Sequence, residues 1–140
     1  MHAEVFCGLP DDAARLRREI FMDEQGFENE FDDVDERAAH IVLYEGREPL
    51  ATCRYYRADD GRYFIGRVAV SRACRGMALG AALMREAETR IAAHGGEETF
   101  VSAQVRVRGF YEKQGYAAVG SEYADEGCPH ILMCKVLTER

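Results

Sequence analysis

Hydrophobic positions change their period several times along this chain, and each change marks an element. Residues 4–7 read as a short first strand. From Pro10 onward, Ala13, Leu16, Ile20 and Phe21 recur at helical spacing. Asp11 and Asp12 put carboxylates in the first turn of that helix, where its dipole favours them. Leu16 and Ile20 are expected in the core, with Arg15, Arg17, Arg18 and Glu19 turned to water. Residues 23–36 are dense in acid, broken by Phe27, Phe31 and Val34 at spacings that suit an irregular helix with one apolar edge. Three β-type runs follow, at 40–44, 49–56 and 63–70, separated by turn sequences at 45–48 and 59–62. Consecutive hairpins of this kind predict an antiparallel meander.

The second half alternates elements. Leu83, Ala87 and Ile91, joined by Met84, share one face of a helix predicted over 80–94 and stopped by Gly95 and Gly96. A fifth strand is predicted at 99–103, a further helix at 105–114 ended by Gly115, and two closing strands at 117–123 and 130–136. A meander followed by strand–helix–strand–helix–strand points to one mixed α/β layer structure, with 1–140 as a single domain.

Composition narrows the class. A chain of 140 residues, 47% hydrophobic and 31% charged, has the make-up of a globular domain with one sizeable core. The net charge of -7 argues against nucleic acid as the main partner, which needs a basic face, and suits a cationic acceptor such as an amine. No apolar run approaches the ~18 residues of a membrane span, and the start MHAEVFCGLPDD lacks the zones of a signal peptide. The five cysteines are scattered, so reduced thiols in the cytoplasm are expected. Neither a C-x-x-C pair nor H-E-x-x-H occurs, and no metal site is expected.

Candidate chemistry concentrates at 64–83, FIGRVAVSRACRGMALGAAL. A strand, a small-residue turn and a helix start bring unpaired N–H groups and the positive end of a dipole to one point, where a phosphate oxygen can sit. Gly76, Ala78 and Gly80 leave the main chain open, and Arg72 and Arg75 add charged donors. The same small residues would also make a plain tight connection. The loop is not a Walker A sequence, since Gly80 is not followed by Lys and Ser or Thr, and its glycine spacing is not that of G-x-G-x-x-G.

Arg75-x-x-Ala78-x-Gly80 satisfies the acetyl-CoA signature Gln/Arg-x-x-Gly/Ala-x-Gly/Ala, and in this the chain resembles the GNAT superfamily of N-acetyltransferases. The likeness runs upstream through Gly66-Arg67-Val68-Ala69-Val70 and downstream to Gln104 and Phe110-Tyr111-Glu112-Lys113-Gln114-Gly115-Tyr116, similar to the family's F-Y-x-x-x-G-F/Y segment. Glu24-Gln25, His40 and Gly127-Cys128-Pro129-His130 look like the small bacterial ElaA/YjcF-type branch.

This resemblance implies a central, mostly antiparallel seven-stranded sheet splayed between strands 4 and 5, with helices on both faces. It implies acetyl-CoA as co-substrate and a primary amine of a small molecule or peptide as acceptor, attacked directly in a ternary complex. The backbone of Arg75, Gly76, Met77, Ala78, Leu79 and Gly80 would anchor the diphosphate. Main-chain groups of Val68, Ala69 and Val70 would pair with the pantetheine arm. Gln104 stands where many members place a cofactor-contacting Asn. Phe110 is expected in the core beside the cofactor, and Tyr111 occupies the place of the general acid, its phenol protonated at neutral pH. Candidates for the base that frees the amine are Glu24, Glu122, His40 and His130, and the residues do not rank them. The acidic stretch is either a solvated face or a lid that attracts the amine. Ala78 replaces a frequent Gly and is expected in an ordinary right-handed conformation. Late strands of this fold pair between subunits, so the resemblance allows a homodimer. The rival reading is a catalytically silent acyl-CoA-binding sensor or interaction module.

Overall fold

The structure is a computed structural model and describes residues 1–27 and 31–137. Glu28 and Glu30 of the acidic stretch lie outside the described residues. Seven strands, β1 (His2–Cys7), β2 (Ala39–Glu45), β3 (Glu48–Arg57), β4 (Tyr63–Val70), β5 (Glu98–Gln104), β6 (Ala117–Asp125) and β7 (Cys128–Val136), form one sheet in the order β1-β2-β3-β4-β5-β7-β6. The helices are α1 (Asp11–Arg17), α2 (Leu79–Ala93) and α3 (Arg108–Lys113). The fold is the mixed α/β arrangement expected: β1–β2, β2–β3, β5–β7 and β6–β7 pair antiparallel, and β4 pairs with β5 in parallel through Tyr63↔Thr99 and Phe64↔Phe100. Among the described residues no helix is long and apolar enough to cross a membrane.

The chain divides into two compact units, the first comprising Met1–Tyr56 and Ile65–Ala87, the second Arg57–Phe64 and the chain from Glu88 onward. In the first unit, β1 and β2 pair from His2↔Tyr44 to Cys7↔Ala39. Ala13 of α1 packs on Val42 and Tyr44, and the Tyr44 hydroxyl donates to Asp12 at 2.7 Å. Helix α1 does not continue as an α-helix. Arg18–Glu24 is a π-helix, in which the N–H of Gln25 reaches the carbonyl of Ile20 at 3.1 Å. Its wider turn lets the consecutive residues Ile20 and Phe21 pack together against Ala69 of β4.

The acidic stretch departs from its expected form. Asp33–Glu36 is a single 3-10 turn, and Asp35 is buried. The Asp35 carboxylate accepts from Arg17 at 2.8 and 3.1 Å and from Arg54 at 2.8 Å. Arg54 also donates to Asp32 at 2.7 and 3.1 Å, and Arg67 reaches the same carboxylate at 3.4 Å. Arg17, expected to face water, is therefore buried, with its guanidinium also over the Phe31 ring at 5.0 Å. The physical reason is pairing: a charge enters the interior only when a counter-charge and hydrogen bonds go with it. Burial raises the Asp35 pKa, and the two guanidiniums outweigh that and bring it down to about 2.

In the second unit, β5 and β7 pair from Glu98↔Val136 to Gln104↔His130, and β6 lies outside β7. Val101, Ala103, Ile131 and Met133 are buried, while β6 is exposed at every position. Residues 105–114, expected as one helix, split into a 3-10 turn Val105–Val107 and the short α3. Val107, at φ -115 and ψ 16, breaks the helical path between them. The Tyr116 hydroxyl donates to Glu88 at 2.8 Å, and Lys135 donates to the same carboxylate at 2.9 Å.

Candidate active site

The first unit carries the anion loop. Strand β4 ends where the Ser71 N–H bonds the Leu50 carbonyl at 2.8 Å, and a 3-10 turn over Arg72–Cys74 follows. Cys74 and Leu79 are buried, and Arg75, Gly76, Met77 and Ala78 between them are exposed. Two buried anchors thus hold an exposed bow of main chain. Gly76 (φ 88) and Ala78 (φ 61) are both left-handed. The right-handed conformation expected of Ala78 is therefore wrong: the chain reverses there to enter α2, and the Ala78 carbonyl accepts the helix's first bond from the Ala82 N–H at 3.2 Å. The N–H groups of Leu79, Gly80 and Ala81, in the first turn of α2, have no intrahelical acceptor by geometry.

Arg75 is engaged. Its two terminal nitrogens donate to the two oxygens of Glu24 at 2.7 and 2.8 Å, and Arg72 lies 3.6 Å from the same carboxylate. The Arg75 hydrogen bond in particular holds the Glu24 pKa down to about 2. Glu24 is a carboxylate with little appetite for a proton at neutral pH. Within β4, Arg67 is left-handed at φ 51, just before Val68 and Val70, which are half-buried, and Ala69, which is buried. His40 is wholly buried, its Nε2 3.0 Å from the Asp35 carbonyl, and burial lowers its pKa. Among the base candidates it is the one placed in the interior of the first unit.

The second unit carries the remaining candidates. Tyr111 is buried on α3, its ring edge-on to Phe110 at 4.9 Å and to Tyr116 at 6.0 Å. Phe110, expected in the core, is half-buried, so the buried ring of the pair is the tyrosine. Gln104 accepts from Arg106 at 2.8 Å and stands opposite His130 in the β5–β7 register. His130 is buried, with Nδ1 2.8 Å from the Cys128 carbonyl. A carbonyl only accepts, so Nδ1 carries the hydrogen, and in the neutral ring Nε2 is left as the acceptor. Tyr123 is opposite His130 in the β6–β7 register and stacks on its ring at 6.0 Å, with its hydroxyl bonded to Ser102. Glu122 is exposed in the irregular stretch before Tyr123.

The structure thus brings Glu24 to Arg75, and Gln104 to His130 and Tyr123. Sequence reading missed Ser102 and Tyr123, although period-2 alternation puts Ser102 and Gln104 on one face of β5. It had no signal for the Arg17–Asp35–Arg54 cluster, whose members are far apart in the chain.

The sheet with its short parallel β4–β5 pair, and the left-handed loop opening onto the start of α2, define a mixed α/β domain with an anion-binding loop. The family described as Acetyltransferase (GNAT) domain matches residues 10–137, and the chain belongs to that family. It is 35% identical over 128 residues to the protein named Uncharacterized N-acetyltransferase YjcF, from Bacillus subtilis (strain 168), covering 89% of this chain and 90% of that one. The crystal structure of Escherichia coli ElaA superposes with a TM-score of 0.84 at 28% identity, covering 96% of this chain and 98% of that one. That of an Acyl-CoA N-acyltransferase from Pseudomonas aeruginosa gives 0.85 at 27% identity, covering 96% and 99%.

Proposed function

We propose that this chain moves an acetyl group from acetyl-CoA to a primary amine of a small molecule or peptide, by direct attack of the amine in a ternary complex. The observation that carries the reading is the exposed bow between Cys74 and Leu79, left-handed at Gly76 and Ala78 and leading into the first turn of α2, whose N–H groups have no intrahelical acceptor. A Cβ built on Gly76 would meet nothing within 4 Å, so the main chain there is open to a large anion. Of the backbone expected to anchor the diphosphate, Arg75 and Met77 already donate their N–H groups to the Arg72 and Cys74 carbonyls at 3.4 and 3.3 Å, so Gly76, Ala78, Leu79 and Gly80 would hold it. Val68, Ala69 and Val70 would offer main-chain groups to the pantetheine amides, with Gln104 and Phe110 as further contacts. The names of the Bacillus and Pseudomonas relatives support nitrogen as the acceptor atom.

Acetyl-CoA, when bound, supplies an activated acyl carbon and a thiolate leaving group. Tyr111 would hold the proton that the departing sulfur needs. His130 is the favoured acceptor for the amine's proton, because its Nδ1–H is committed to the Cys128 carbonyl and its Nε2 keeps a lone pair. Glu122, exposed in the stretch before Tyr123, is the alternative through water. Glu24 is assigned no proton transfer, since Arg75 holds it ionised.

Thiol release from acetyl-CoA against a panel of amines and peptides tests the reading. Tyr111→Phe is expected to lower turnover about 100-fold, and unchanged turnover removes Tyr111 from the acid role. With His130→Gln, the rate should follow the acceptor's own neutral fraction as pH rises. Coenzyme A binding without thiol release for any acceptor identifies a silent acyl-CoA-binding module instead.

A further inference from the structure

The π-helix Arg18–Glu24 touches both stretches of the first unit to which cofactor contacts are assigned. Its Ile20 and Phe21 pack on Ala69 in β4, and its last residue, Glu24, grips Arg75 at the start of the anion loop. Resting on the acetyl-CoA reading above, we infer that Glu24 is a positioning residue for the cofactor diphosphate: it ties down Arg75 so that the N–H groups of Gly76, Ala78 and the first turn of α2, rather than the guanidinium, face the phosphate, while the Arg75 and Met77 N–H groups stay on the Arg72 and Cys74 carbonyls at 3.4 and 3.3 Å.

The geometry is specific. Both carboxylate oxygens are used, one on each terminal nitrogen of Arg75, and this planar two-point contact fixes orientation as well as distance. Arg72 reinforces the same carboxylate from the other end of the 3-10 turn. The loop has a reason to need a tether. Its path requires left-handed main chain at Gly76 and at Ala78, and a left-handed alanine relaxes when nothing holds it. The anchors at Cys74 and Leu79 fix the ends of the bow, and Glu24 fixes its first exposed residue. Ordering the loop before the ligand arrives removes that cost from binding. The role also explains why a carboxylate stands beside a site meant for an anion: it is spent on two arginines and does not face the ligand as an unpaired charge.

The test is a calorimetric titration of coenzyme A into the full chain and into Glu24→Gln, Arg75→Gln, the double Gln variant and the charge swap E24R/R75E. Thermal melts are run beside it. The inference expects each single variant to weaken coenzyme A by about three- to tenfold, with the melting temperature little changed. The double variant should be no worse than the singles, and the swap should regain most of the affinity, because it rebuilds the pair with the charges exchanged. In the thiol-release assay the KM for acetyl-CoA should rise while kcat at saturation holds. Affinity in Glu24→Gln equal to or tighter than wild type overturns the inference. So does a fall in kcat with unchanged affinity, which would make Glu24 a proton acceptor. A swap no better than the singles overturns it too, since the loss would then belong to the charge of Arg75. Wild-type protein that ignores coenzyme A refutes the cofactor reading itself, and is thereby distinguished from all three.

Discussion

Replacing Asp35 with Asn isolates the charge at the centre of the buried ionic cluster. The side chain is 5% exposed and accepts from Arg17 at 2.8 Å and Arg54 at 2.8 Å, whose side chains are 1% and 5% exposed. It also accepts from the Asp32 N–H at 3.2 Å. Asn keeps the shape but removes the charge, and its NH2 group meets donors on every side. Arg54 retains Asp32, whereas Arg17 loses the charge that both its terminal nitrogens reach at 2.8 and 3.1 Å. Removing one partner of a buried ion pair costs about 3–5 kcal/mol, a large part of a typical 5–15 kcal/mol of domain stability. Asp32→Asn is the control: that side chain is 38% exposed and Arg54 keeps Asp35, so the loss should stay near ~1 kcal/mol. Urea unfolding followed by circular dichroism at neutral pH measures both. A loss below about 1 kcal/mol for Asp35→Asn, or equal losses for the two variants, would refute the argument that burial sets the energy. The pH dependence gives a second check. The Asp35 pKa is lowered from 3.8 to about 2 in the folded state, so its contribution is full above the unfolded value and is lost as pH falls through the folded one. Wild-type stability should therefore decline between about pH 5 and pH 2, and Asp35→Asn should flatten that decline.

Two further substitutions read the backbone. Ala78→Gly should stabilise the protein by roughly 0.5–1 kcal/mol in the same urea assay, because glycine accepts the left-handed conformation at φ 61 without the Cβ conflict; destabilisation would mean that the methyl group is needed for packing. Gly96→Ala should cost about 1–3 kcal/mol as overpacking, since the added Cβ would lie 2.5 Å from Ile91 Cγ2, 3.0 Å from Tyr63 Cδ2 and 3.1 Å from the Ile91 carbonyl. A neutral result there would show that α2 shifts freely at its end.

Much of the fold was legible because its signals are local. Strand β4 begins and ends where its apolar run does, and α2 starts and stops within a residue of the limits set by its apolar stripe and the Gly95–Gly96 pair. The anion loop was visible from small residues placed between a strand and a helix, and the family motifs sharpened it. Local pattern failed where distant residues decide. Arg17 reads as a solvent-facing position on an amphipathic helix, and Asp35 as one more acid in an acidic run. Each is buried because the other is there, together with Arg54. The π-helix was equally hidden, since its wider turn answers to the surface of β4 rather than to the seven residues that form it.

The same division holds at the candidate site. Residue order alone determined the strand–loop–helix that presents main-chain N–H groups, because a handful of neighbouring residues suffices to build it. Tertiary structure alone decided that Ala78 is left-handed, that Glu24 belongs to Arg75, and that His130 offers Nε2 rather than Nδ1. Those outcomes depend on which atoms meet across the folded chain. Hydrogen bonds and ion pairs between distant residues carry no periodicity that a linear sequence could display.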